Sequence, residues 1–208
     1  MKHSAIAIIA IIAIIAITLS SCIGIDTSAK IAADGSVDIS MTYTVSTAVD
    51  ELGKLGTKNG AANAAYLPLP VGQADLELAA TRAGGQVRSW SRKDNSDSFT
   101  ITTTLRFPSA AAFVLFLDPA GTRATYAEAG GKSTIAMTLF DGIDPADPDL
   151  LEFVRLAFAD YSIAIRLELP RNITASKGYT VAGKVASFSM KAADLYASKT
   201  PVVTSVTW

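Results

Sequence analysis

Ile25-Asp-Thr-Ser-Ala-Lys-Ile-Ala-Ala-Asp34-Gly35-Ser-Val-Asp-Ile-Ser-Met-Thr-Tyr-Thr-Val45 is the stretch from which the fold is read. Ile25, Thr27, Ala29 and Ile31 occupy alternate positions up to Asp34-Gly35. Beyond it Val37, Ile39, Met41, Tyr43 and Val45 alternate with Asp38, Ser40, Thr42 and Thr44. Successive side chains on a strand point to opposite faces, so this period of two marks strands with one apolar and one polar face. Asp-Gly between two such runs predicts a type I′ hairpin, whose two central residues need positive φ.

The same pattern recurs further along. Gln86 to Lys93, a turn at Asp94 to Asp97, and Phe99, Ile101, Thr103, Leu105 and Phe107 alternating with Thr100, Thr102, Thr104 and Arg106 predict a second hairpin. Thr122 to Glu128, Gly130-Gly131, and Ile135, Met137 and Leu139 predict a third. Tyr161, Ile163, Ile165, Leu167 and Leu169 form the cleanest strand pattern, ended by Pro170, and shorter strands are expected at 180–189 and 202–208. Helical spacing appears in Val49, Leu52 and Leu55 after a Thr47/Asp50 cap, and in Leu76, Ala79, Ala80 and Ala83 before Gly84-Gly85. Phe113 to Leu117 reads as a buried helix, 148–159 as a helix capped by Asp147-Pro148, and 192–197 as a helical turn. Hairpins interleaved with helices predict an α+β fold, antiparallel hairpins forming a sheet with helices packed on one face.

Upstream of the first strand, Met1-Lys2-His3 precedes an unbroken apolar run from Ala5 to Ile17 and then Leu19-Ser20-Ser21-Cys22. A charged start, an apolar stretch shorter than the roughly 20 residues of a membrane span, and small residues before a cysteine describe an export signal. Leu, two small residues and Cys match the lipobox of bacterial lipoproteins. Residues 1–21 are therefore expected to be a signal peptide, Cys22 to carry the lipid, and 22–208 to form one domain. Each buried methylene contributes roughly 0.8 kcal/mol, so two or three acyl chains hold such a protein on the cell membrane or outer membrane with its domain outside the cytoplasm.

What the composition removes is as informative. The sole histidine, His3, lies in the signal, and Cys22 is the sole cysteine. Ser-His-Asp and Cys-His catalysis, zinc sites and internal disulfides are excluded by inventory. With 17 Lys and Arg against 19 Asp and Glu after residue 21, there is no basic excess for nucleic acid. Paired carboxylates need no histidine, but no spacing here supports such an enzyme, and the run Asp141, Asp144, Asp147, Asp149 is interrupted by Pro145 and Pro148 and lacks calcium-loop spacing. No metal, cofactor or catalysis is expected.

Two groups of residues stand out as contact candidates. Tyr66, Leu67, Leu69 and Val71 lie on the loop 57–72, stiffened by Pro68 and Pro70, and suit insertion into a bilayer, an apolar groove, or cover of a sheet edge. Arg88, Trp90 and Arg92, with Lys93, suit an anionic head group at a lipid interface, or equally a charged edge strand that resists pairing.

The order of these signals resembles the LppM-like envelope lipoproteins. The resemblance is carried by Cys22 to Ser36, with its cysteine, strand and Asp34-Gly35 turn. Further along it rests on Ile165 to Gly178, with Pro170 in a turn, and on the closing Val206-Thr207-Trp208. It implies an α+β domain outside the cytoplasmic membrane that binds membrane lipids or glycolipids without catalysis. The chain departs from that family's pattern at Trp208, where the family continues into a membrane helix, so the lipid would be the only membrane attachment. The reading reached is a lipid-anchored envelope lipoprotein with a non-catalytic domain for a lipid, glycolipid or other amphiphile. The alternative is a structural or assembly partner of another envelope protein. An apolar cavity beside 57–72 favours the first, a flat exposed face without one the second.

Overall fold

The computed structural model describes residues 24–47, 70–142, 152 and 161–208. The expected signal, the helix after Thr47, most of the loop 57–72 and the helix at 148–159 lie outside these residues.

The order of elements is β1 (Gly24–Ile31), β2 (Val37–Ser46), α1 (Gln73–Arg82), β3 (Gln86–Asp94), β4 (Ser98–Phe107), α2 (Ala110–Leu117), β5 (Ala124–Ala129), β6 (Lys132–Phe140), β7 (Ser162–Glu168), β8 (Ala175–Lys177), β9 (Thr180–Ala182), β10 (Val185–Lys191), α3 (Ala192–Tyr196) and β11 (Val202–Thr207). Strand dominates, and the architecture is α+β-like. The single sheet expected from the hairpins is in fact two: seven strands in the order β3-β4-β2-β1-β7-β10-β9, and four in the order β5-β6-β11-β8. Moreover β1 and β7 run parallel, with Ile25 beside Ile163 and Thr27 beside Ile165. A strand's period of two says which face is buried but not which neighbour it pairs with, so neither feature is written in the local pattern.

The seven-stranded sheet carries the apolar positions on one face in continuous rows. One row runs Ile101, Tyr43, Ile25, Ile163, Met190 across β4, β2, β1, β7 and β10; the next runs Thr103, Met41, Thr27, Ile165, Phe188. The opposite face holds Ser28, Ser40, Thr104 and Ser89 in one row, and Glu168, Lys30, Asp38 and Arg106 in another. Along this charged row signs alternate, with Lys30–Glu168 at 2.9 Å and Arg106–Asp38 at 3.2 Å. Such a sheet buries one side and leaves the other in water.

The first hairpin differs from expectation in its turn. Only Gly35 has positive φ (85°), and Asp34 does not. Ala32 N–H donates to the Ser36 carbonyl and Gly35 N–H to the Ala32 carbonyl, a three-residue loop in which a turn is followed by a left-handed glycine. Asp34 favours it because its carboxylate accepts from the Ser36 N–H (3.0 Å) and hydroxyl (2.7 Å), bonds that hold its pKa below the usual carboxylate value. The third hairpin is the two-residue type: Gly130 and Gly131 both have positive φ between β5 and β6.

After β7 the chain leaves the large sheet. Pro170 ends the strand, Thr174 N–H donates to the Thr207 carbonyl, and β8 joins the small sheet before the chain returns as β9 and β10. Tyr179 seals this crossing, edge-on to Phe188 and hydrogen-bonded at 3.3 Å to the buried Thr204 hydroxyl. The apolar core spans both sheets, from Ile39, Phe99 and Leu105 to Ile135, Val206 and Trp208. Under β4, Phe107 stacks at 5.1 Å on Phe116 of α2, whose N-terminus is capped by Ser109.

Candidate functional site

Within the core lies an apolar cavity of about 400 Å³. Its floor is the inner face of the large sheet, where Ile25, Met41, Ile163 and Ile165 stand on β1, β2 and β7. Its walls are Phe113 and Phe116 of α2, Met137 and Leu139 of β6, and Leu195 of α3. Thr27 on β1, between Met41 of β2 and Ile165 of β7, lines the cavity with a shorter side chain than either neighbour. Ile165, read from the sequence as core, is only half-buried and borders this space.

One end of the cavity is polar. Asp118, Pro119 and Arg123 reach it from the loop between α2 and β5, and Thr138 from β6. Asp118 organises the loop: its carboxylate accepts from the backbone N–H of Arg123 and, at 2.9 Å, of Ala124. Those bonds to the charged form hold its pKa below the usual carboxylate value. Arg123 is tied into the small sheet through its carbonyl, which accepts from Thr138 N–H at 2.7 Å. Its guanidinium pairs with Asp141, both side chains more than half exposed, at 59% and 58%. At the loop 57–72 end, Pro70 lines the cavity, and its carbonyl accepts from the Tyr43 hydroxyl. Burial pushes the Tyr43 phenol up to about 12, so it remains a neutral donor.

The residues singled out in the sequence fall elsewhere or outside the described residues. Cys22, Tyr66, Leu67 and Leu69 are outside. Val71 is half-buried against the core, one residue from the cavity's Pro70. Arg88 sits exposed in a β-bulge between Val87 and Ser89, which breaks the alternation that would have put it beside Trp90. Trp90 lies opposite Thr103 on the inner face, its indole N–H buried without a hydrogen-bond partner among the described residues. Arg92 lies 3.7 Å over the Phe99 ring and 2.8 Å from Asp94. The structure therefore does not join these three into one grip, and none of them lines the cavity.

The cavity's own residues were read as core, because lining a void and filling a core demand the same apolar side chains. Asp118 to Arg123 carried a faint signal, an Asp-Pro-x-Gly loop closing an apolar helix. Among the described residues no group of three His, Cys, Asp or Glu is placed to hold a metal ion, and no helix among them is long and apolar enough to cross a membrane.

No family model matches the chain, and no curated protein matches it. Among solved structures it resembles the folded domain of LppM from Mycobacterium tuberculosis, determined by NMR, with 12% identity over 90% of each chain and a TM-score of 0.47. That is the family whose short motifs the sequence resembles.

Proposed function

We propose that this protein is a bacterial envelope lipoprotein, anchored through Cys22, whose domain takes the acyl chain of an amphiphile into the cavity between its two sheets. The observation that carries the reading is the cavity: about 400 Å³, walled by isoleucine, leucine, methionine and phenylalanine, with Asp118 and Arg123 as the charged residues among its described lining. Small-molecule sites run from roughly 300 to 1,000 Å³, apolar with a few polar groups that fix orientation. An apolar body with one polar end is the shape and polarity of an acyl chain beneath a head group. In this reading the role is binding or carriage, without catalysis.

Burial of each methylene stabilises by about 0.8 kcal/mol, close to a fourfold gain in affinity. Displacement of a fluorescent fatty acid from the full chain by saturated amphiphiles of increasing length tests this. Affinity is expected to rise about fourfold per methylene and level off when the cavity is full. Absence of saturable displacement at any length would exclude the cavity as a lipid site and leave the assembly-partner reading.

A further inference from the structure

Resting on that reading, we infer that the cavity mouth selects an uncharged, hydroxyl-bearing head group over an anionic one, and that Asp141 sets this preference. Among the described residues the charged ones that line the cavity are Asp118 and Arg123, and Asp141 pairs with the Arg123 guanidinium. This is two carboxylates to one guanidinium. The Asp118 carboxylate is engaged by the backbone N–H groups of Arg123 and Ala124, so it is fixed beside the opening and cannot swing away. Arg123, the one cation on the lining among the described residues, is already paired with Asp141.

An incoming carboxylate or phosphate that accepts from the remaining N–H groups of Arg123 would sit as a third anion beside both aspartates, with the Arg123 charge already paired. A head group of hydroxyls meets no such opposition. It donates to the free lone pairs of Asp141 and accepts from the remaining N–H groups of Arg123, leaving the ion pair intact. Because Arg123 and Asp141 are more than half exposed, water and salt weaken the discrimination. One excess negative charge a few ångströms from the head group amounts to about three- to fivefold in affinity at low ionic strength.

The test compares glycerol monododecanoate, dodecanoate and dodecyl phosphate, which share one chain, on the full wild-type chain and on the variants Asp141→Asn and Arg123→Gln. Wild type is expected to bind the glyceride about three- to fivefold more tightly than either anion, with the gap closing as salt is raised. Asp141→Asn, which frees the Arg123 guanidinium, should bring the anions level with the glyceride or past it. Arg123→Gln should widen the gap. Equal binding of all three ligands by wild type, or a gap unmoved in Asp141→Asn, would overturn the inference while leaving chain binding standing. Failure of all three to bind would overturn the cavity reading itself and this inference with it.

Discussion

Ile101 and Ile165 carry the same side chain on the same face of the same sheet, and cutting each to alanine separates packed core from cavity wall. Ile101 is 0% exposed, enclosed between Tyr43 on β2 and the Arg92 position of β3. Removing three carbons there opens a void that close-packed neighbours cannot refill, at about 3–4 kcal/mol. Ile165 already faces empty space and is half-buried. The same deletion only widens an existing cavity and forfeits about half of the transfer energy of three methylene-sized groups, about 1 kcal/mol. For a domain of this length the corresponding falls in melting temperature are about 6–16 °C and about 2–4 °C. The assay is urea unfolding with a thermal scan, alongside acyl-chain binding. Ile165→Ala should lower affinity about fivefold, whereas Ile101→Ala, in the residual folded fraction, should leave it unchanged. Equal stability losses from the two variants would refute the reasoning, since Ile165 would then belong to a filled core.

Other outcomes follow from single contacts. Gly85→Ala would place a Cβ 2.3 Å from the ring of Phe107, which is 0% exposed, so a loss of about 3 kcal/mol and about 6–12 °C is expected in a thermal scan. Tyr43→Phe removes the donor to the Pro70 carbonyl beside the cavity and should cost about 1–2 kcal/mol in urea unfolding, with no pH dependence below pH 11 because the phenol titrates at about 12. Asp118 is more acidic in the fold than its ordinary value of 3.8. Its stabilisation is therefore full above that value and lost as pH falls through the lowered native one, and Asp118→Asn should flatten the acid limb of a stability-against-pH curve below about pH 4.

The alternating runs made most strands and their buried faces legible before any coordinates. Val37 to Val45, Phe99 to Phe107 and Ile163 to Leu167 face the core as their periodicity says, because on a half-buried strand the pattern of burial is the pattern of sequence. What was not legible is what depends on distant partners. The parallel pairing of Ile25 with Ile163 joins residues far apart in the chain, and the three-residue strand Ala175–Lys177 is exposed and too short to show a period. The Arg88 bulge likewise shifts a side chain without any local sign such as glycine. The site is the least legible part, since the isoleucine, leucine, methionine and phenylalanine that line the cavity are the residues that also fill a core. Of the candidates among the described residues, the Pro70–Val71 end of the 57–72 loop comes near it.

The most direct test of the central claim is photocrosslinking of a diazirine-bearing fatty acid to the full chain in its membrane, with the labelled residues mapped by mass spectrometry. The account expects label in the strands and helix that wall the cavity, at Met137 of β6, Ile163 and Ile165 of β7 and Phe116 of α2, suppressed by excess unlabelled amphiphile. Label restricted to the outer face of the large sheet, around Thr42, Thr102 and Arg166, or left undiminished by the competitor, would contradict it.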